Sequence, residues 1–141
     1  MTTIFACAKA GVMVCDSKCT SDAEWFPMTK VLRHEGALIG IAGSVKDAVA
    51  WLEWYTAGKR GNRPKVEAGF AGLILRADGV CGVSSDGFEM PIERGHHGIG
   101  SGGGYAVAAF KGGAAPKRAV EIACEIDVNS GGKIHVHRIK S

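Results

Sequence analysis

The sequence holds little proline, four residues in 141. It has no apolar run near the ~18 residues that a membrane span needs. It shows no block of Lys or Arg and no basic-aromatic stripe, and 17 basic against 14 acidic residues leave a formal net charge of only +3. These absences argue against a proline-rich or collagen-like chain, a membrane protein and a nucleic-acid binder. Met1-Thr2-Thr3-Ile4 lacks the basic and apolar regions of a secretory leader, so none is expected. What the chain does have is glycine, 21 residues, at about twice ordinary usage. With 46% hydrophobic residues beside them, these glycines belong to a folded chain with many tight turns or close backbone approaches. The length fits one domain, here residues 1–141.

The cysteine count is odd: Cys7, Cys15, Cys19, Cys81 and Cys124. Most lie in apolar, strand-like stretches and read as reduced core thiols of a cytoplasmic protein. A zinc site from Cys15, Cys19, His96 and His97 matches no usual ligand spacing and is set aside. No cofactor or metal is expected.

Ile4 to Ala8 and Val12 to Cys15 read as a hairpin, and residues 16–22 as a polar loop. A second pair, Lys30 to His34 and Ala37 to Ala42, turns at Glu35-Gly36. The period then changes. Apolar residues at 45, 48, 49, 52 and 55 recur at helical spacing, with Ser44 as N-cap and Asp47 three residues on. Residues 59–65 form a basic loop. Phe70 to Arg76 and Val80 to Ser84 form a hairpin through Asp78-Gly79, and 88–93 another short strand. The segment 96–104 reads as a glycine-dense loop, with His96 and His97 in a solvated turn. Helices follow over 105–110 and 117–125, the second opened by Pro116. A half-exposed strand over 133–139 ends the chain. Trp25, Trp51 and Trp54 suit either the core or an intersubunit contact. The predicted order is ββββ-α-βββ-αα-β. Strands arriving in hairpins give mainly antiparallel sheets, and one helix plus a pair covering them gives an α+β, four-layer αββα sandwich.

Gly98-x-Gly100-x-x-Gly103 fits the dinucleotide fingerprint, with Glu121 near the ribose position. That motif needs a following parallel strand, and only one clear strand follows. The competing reading is a strand-to-helix turn in which glycine lets the helix pack on the sheet.

Thr2 follows the initiator Met1 and is small enough for that Met to be removed. A free N-terminal threonine carries a nucleophile and a base in one residue, since its hydroxyl attacks and its α-amine accepts the proton. The unperturbed α-amine pKa, about 7.7–8.0, suits a general base. A nearby cation held by a buried carboxylate would tune it, and Lys30 and Asp16 are the candidates.

Five segments then align with a known family. Thr2-Thr3-Ile4 followed by Gly11-Val12-Met13-Val14-Cys15-Asp16-Ser17-Lys18-Cys19-Thr20 resembles the start of proteasome β subunits and of the HslV peptidase. Lys30-Val31 resembles the family's catalytic lysine and the valine after it. Ile41-Ala42-Gly43-Ser44-Val45-Lys46-Asp47-Ala48 resembles its loop before the first helix. Ile99-Gly100-Ser101-Gly102-Gly103-Gly104-Tyr105-Ala106 is similar to HslV's Ile-Gly-Ser-Gly-Gly-x-Tyr-Ala. Asp127-Val128-Asn129-Ser130-Gly131-Gly132 resembles the proteasomal Asp-x-x-Ser-Gly. The resemblance runs through nearly the whole chain.

It implies an N-terminal nucleophile hydrolase with an αββα sandwich. Thr2 would be the nucleophile, Lys30 its tuning cation and Asp16 the partner of Lys30. The Gly43 N–H would form the oxyanion hole, and Ser101, Asp127 and Ser130 would orient the α-amine. The implied activity is a threonine-type peptidase acting on peptides or unfolded proteins inside a homo-oligomeric, self-compartmentalising ring. The chain has no P-loop, so an ATP-driven unfoldase would be a separate partner. The alternatives are a catalytically inactive structural or interaction protein that retains Met1, and a small-molecule amidase with the same chemistry.

Overall fold

The first hairpin sets the architecture. β1 (Ile4–Cys7) and β2 (Val12–Cys15) are buried at every position. A strand with no exposed face reads as a continuous apolar run because both its faces are covered. Ile4, Ala6, Met13 and Cys15 face a second sheet and pack with Leu38, Leu73, Leu75 and Val80. Phe5, Cys7, Val12 and Val14 face the other way, onto two helices. The structure, a computed structural model, describes residues 2–21, 24–27 and 29–139. Met1 and the side chain of Trp25 lie outside the described residues.

Between the first hairpin and the second lies a strand pair, β3 (Lys18–Ser21) with β4 (Glu24–Pro27). Next come β5 (Val31–His34) and β6 (Ala37–Ala42), then α1 (Val45–Thr56), β7 (Ala71–Arg76), β8 (Gly79–Val83) and β9 (Glu89–Pro91). β10 (His96–Ile99), α2 (Gly103–Lys111), α3 (Pro116–Ile126) and β11 (His135–Arg138) complete the chain. One sheet has the order β10-β1-β2-β11 and the other β5-β6-β7-β8-β9. Every pairing in them is antiparallel. α2 and α3 cover the first sheet through Ala106, Ala119, Val120 and Ala123. α1 covers the second through Trp51, which packs with Ile39, Ile41, Phe70 and Ile74. The result is the αββα sandwich expected from element order.

Several local expectations are corrected. The polar loop at 16–22 contains β3, and β4 lies where no element was foreseen; Lys-Cys-Thr-Ser offers no apolar alternation to reveal a strand. The loop at 96–104 begins as β10, paired to β1 in the register Ile4↔Ile99 and Cys7↔His96. His96 and His97 are thus in a strand, not a turn. The buried stripe of α1 is also rotated. Val45 and Val49 are about half exposed, while Trp51 is 2% exposed and stacks on Tyr55 with ring centroids 4.7 Å apart. The large indole selects the buried face. Asp47 donates its N–H to the Ser44 hydroxyl at 3.1 Å, as an N-cap requires, while its carboxylate accepts the Glu67 N–H at 2.9 Å.

The glycine fingerprint has no βαβ unit to serve: β10 is antiparallel to β1, and α2 runs into α3. A Cβ at Gly98 would overlap the Gly103 carbonyl, so glycine here lets α2 start against the end of its own strand.

Candidate functional site

The site forms where the start of β1, the end of β2, the approach to β5 and the segment after α3 converge. The ladder continues past β2, with the Asp16 N–H donating to the Thr3 carbonyl at 3.1 Å. This fixes Asp16 beside the N-terminal strand, fully buried, with Thr2 8% exposed and Thr3 fully buried. A buried carboxylate must be paired and hydrogen-bonded to be tolerated. Asp16 Oδ1 accepts the Thr3 N–H at 3.0 Å and the Lys30 ammonium at 2.8 Å. Its Oδ2 accepts the Gly131 N–H at 3.0 Å and the Lys18 N–H at 3.3 Å. Four donors surround one carboxylate.

Lys30 enters from the second sheet, one residue before β5, with a side chain 5% exposed. Its Nζ also donates to Thr2 Oγ1 at 3.1 Å. The cation therefore bridges the hydroxyl of Thr2 and the carboxylate of Asp16.

A second arm runs from Thr3. Its hydroxyl and that of Ser130 share a hydrogen bond of 2.7 Å. Ser130 Oγ donates to Asp127 Oδ2 at 2.7 Å, so its single proton is committed there and Thr3 is the donor to Ser130. Ser101 Oγ donates to the same Oδ2 at 2.6 Å, and the Asn129 N–H reaches Oδ1 at 3.1 Å. Burial pushes the Asp127 carboxyl upward, but the Ser101 and Ser130 hydroxyls and the Asn129 N–H outweigh it and hold it below the usual carboxylate range.

Thr2, Lys30, Asp16, Ser130, Asp127 and Ser101 thus belong to one hydrogen-bonded network joined through Thr3. Gly43 stands apart from these bonds. It follows β6 with a left-handed φ of 128°, against the backbone of Phe70. The register Val31↔Gly40, continued by one residue, sets Lys30 across from Ile41, so Gly43 lies at the same end of the second sheet.

Thr3 is the site residue that sequence reasoning missed, together with the way Gly100 and Gly102, expected only to frame Ser101, lie against Thr2 and Thr3. The Gly102 N–H donates to the Thr2 carbonyl at 3.2 Å. A Cβ at Gly100 would overlap that carbonyl, and one at Gly102 would overlap the Thr3 hydroxyl. The loop is glycine-rich because Thr2 and Thr3 lie directly against it. The adjacent Thr-Thr pair was the only available signal for Thr3.

The four residues weighed as a zinc site are not brought together. His96 and His97 lie on β10, across β1 from the strand that carries Cys15, and Cys19 lies on β3. The His96 ring packs against Phe110 and Phe5, which also touch each other. Burial and then Arg94 hold the pKa values of His96 and His97 below the ordinary imidazole value. None of the described helices is long and apolar enough to cross a membrane.

No protein-family model matches the chain, and no curated protein matches it by sequence. Solved structures do. Eukaryotic HslV from Trypanosoma brucei superposes with a TM-score of 0.76 at 24% identity, over 96% of this chain and 98% of that one. BPH of Thiobacillus denitrificans in complex with epoxomicin matches with a TM-score of 0.69 at 17% identity, over 99% of this chain and 100% of that one. A further BPH structure matches with a TM-score of 0.69 at 18% identity, over 99% of both chains. With its two antiparallel sheets, its covering helices and this end-to-end superposition, the chain has the αββα fold of HslV and of BPH.

Proposed function

We propose that this protein is a threonine-type peptidase whose nucleophile is Thr2, exposed by removal of Met1. One observation carries the reading: Lys30 Nζ lies between Thr2 Oγ1, at 3.1 Å, and the buried Asp16 carboxylate, at 2.8 Å. A structural core rarely holds a buried lysine against a threonine hydroxyl, because the desolvated cation is costly unless a carboxylate holds it there. A nucleophile that must give up a proton does need a cation at its oxygen.

In the proposed reaction the Thr2 hydroxyl attacks the scissile carbonyl and its proton passes to the Thr2 α-amine. The Lys30 ammonium stabilises the negative charge that develops on Oγ1. The Gly43 N–H faces the carbonyl oxygen as it becomes an oxyanion, a contact worth about 2.7–4 kcal/mol in other enzymes. Collapse expels the amine product, which takes the proton from the α-amine and leaves an acyl-Thr2 ester. Water, deprotonated by the same α-amine, then hydrolyses that ester. Asp127, with Ser101 and Ser130, orients the α-amine. The substrates are peptides or unfolded proteins, met inside a homo-oligomeric ring of this domain in the cytoplasm and delivered by a separate ATP-driven unfoldase. The likeness to HslV, and to a BPH that forms a complex with epoxomicin, supports this assignment of chemistry.

Two measurements test it. Intact-mass spectrometry of the natively produced chain should show Met1 missing. A retained Met1 overturns the peptidase reading in favour of the inactive, structural alternative. Epoxomicin should form an adduct with the processed chain that Thr2→Ala abolishes while the oligomer persists. Labelling that survives Thr2→Ala contradicts the assigned nucleophile.

A further inference from the structure

The last strand carries a pattern that the hydrolase reading leaves unused. β11 pairs with β2 in the register His135↔Cys15 and His137↔Met13. Directly paired residues share a sheet face, and Cys15 and Met13 belong to the core between the sheets. Both imidazoles therefore turn toward that interior, while Val136 between them is 36% exposed on the other face. This reverses the polarity that the Ile134, Val136, Ile139 alternation suggests. A buried ring nitrogen without a partner is costly, yet His135 Nδ1 and His137 Nε2 are both buried without a hydrogen-bond partner among the described residues. The two rings stand nearly perpendicular, centroids 6.2 Å apart. Taken with the Cys15 thiol, one ligand atom from each residue lies within 4.8 Å of the other two.

We propose that Cys15, His135 and His137 form a binding site for a borderline-soft divalent transition ion of the zinc class, with a fourth position open to water. Two imidazoles and a thiolate suit such an ion, whereas calcium and magnesium take oxygen ligands. With Zn–N near 2.0–2.1 Å and Zn–S near 2.3 Å, ligand atoms of a tetrahedral zinc stand roughly 3.3–3.6 Å apart. Closing the present cluster on an ion therefore needs only small side-chain movements. Binding is an exchange: the Cys15 thiol loses its proton to solvent as its sulfur ligates the ion, with no change in oxidation state. The bound ion would clip the edge strand β11 to β2.

The test is cobalt titration of chelator-treated full-length protein. One equivalent of Co²⁺ per chain should develop a near-ultraviolet thiolate-to-cobalt charge-transfer band, displaced by one equivalent of Zn²⁺, and Zn²⁺ should raise the melting temperature. Cys15→Ser should remove the band, while Cys19→Ser and His96→Gln should leave it unchanged. His137→Gln should weaken binding by more than about 100-fold, since even the loss of a partner that merely supports a ligand costs 10–100-fold. Absence of the band in the unmodified chain, or its survival in Cys15→Ser, overturns the site. Should Cys15→Ser fail to fold, the His135→Gln/His137→Gln double variant decides the question: unchanged cobalt affinity there also overturns it.

Discussion

Lys30 is the residue on which the two sheets and the proposed chemistry meet. Its ammonium holds the buried Asp16 carboxylate at 2.8 Å and the Thr2 hydroxyl at 3.1 Å. Lys30→Met would keep the length of the side chain and delete the charge. Asp16 would retain its backbone donors but lose its only ion-pair partner among the described residues. Breaking a buried pair from one side costs about 3–5 kcal/mol, so the urea midpoint should fall accordingly and epoxomicin labelling should be lost. The Lys30→Met/Asp16→Asn double variant should recover part of the stability and none of the labelling. Stability unchanged in Lys30→Met would contradict the pair.

At the scale of elements, the β10–α2 loop acts as a mould for the N-terminal strand. Gly100 has φ of 84°, and a Cβ there would overlap the Thr2 carbonyl. Gly100→Ala should cost at least about 1–2 kcal/mol for the left-handed backbone alone. Displacing Thr2 by an ångström should slow epoxomicin labelling by about 100-fold, read as the rate of adduct formation by mass spectrometry. α1 gives a contrasting prediction. Trp51 is 2% exposed and packs against Tyr55 and Phe70, away from the Thr2 network. Trp51→Ala should cost about 3–5 kcal/mol in urea unfolding, with labelling of the remaining folded protein unchanged. These two elements also show what the sequence could reveal. Strands covered on both faces, such as β1, β2, β6 and β7, were legible as apolar runs. So were the Ser44 cap and the Pro116 start of α3. The local hairpin β3–β4 was not, because Lys18–Ser21 offers no apolar alternation, nor was the His-His-Gly-Ile of β10, whose partner β1 is distant in sequence. The site residues were recognisable one motif at a time. That Thr3 is the join between the Asp16 and Asp127 arms is a property of tertiary packing alone.

For the whole molecule, the buried titratable groups fix the sign of the response to acid. Burial and then the nearby Arg94 hold the pKa values of His96 and His97 below the ordinary imidazole value, with Lys111 adding to the depression at His96. The unfolded chain therefore binds protons at these sites first, beginning near the unperturbed value of about 6.5. The carboxyls act in the same direction at lower pH. Burial raises the Glu89 pKa, but hydrogen bonds from Lys59 and Arg76 outweigh it and leave it lowered. Asp127 is lowered likewise through Ser101 and Ser130, against the opposing effect of its burial. A depressed carboxyl contributes stability that is present above its unfolded pKa, about 3.9 for Asp and 4.3 for Glu, and is lost as pH falls through the folded value. Both sets leave the unfolded state with more bound protons, so stability should fall in two steps on acidification. The urea midpoint should begin to decline near pH 6.5, level off, and decline again below about pH 4.5. His97→Gln should flatten the first step and leave the second. Asp127→Asn should do the reverse, because it removes a proton-binding difference that exists only in the carboxylate range. His137 is lowered likewise, by burial and then by His135 and Arg33, so a first step that persists undiminished in the His96→Gln/His97→Gln/His137→Gln triple variant would assign it elsewhere and contradict the burial of these rings.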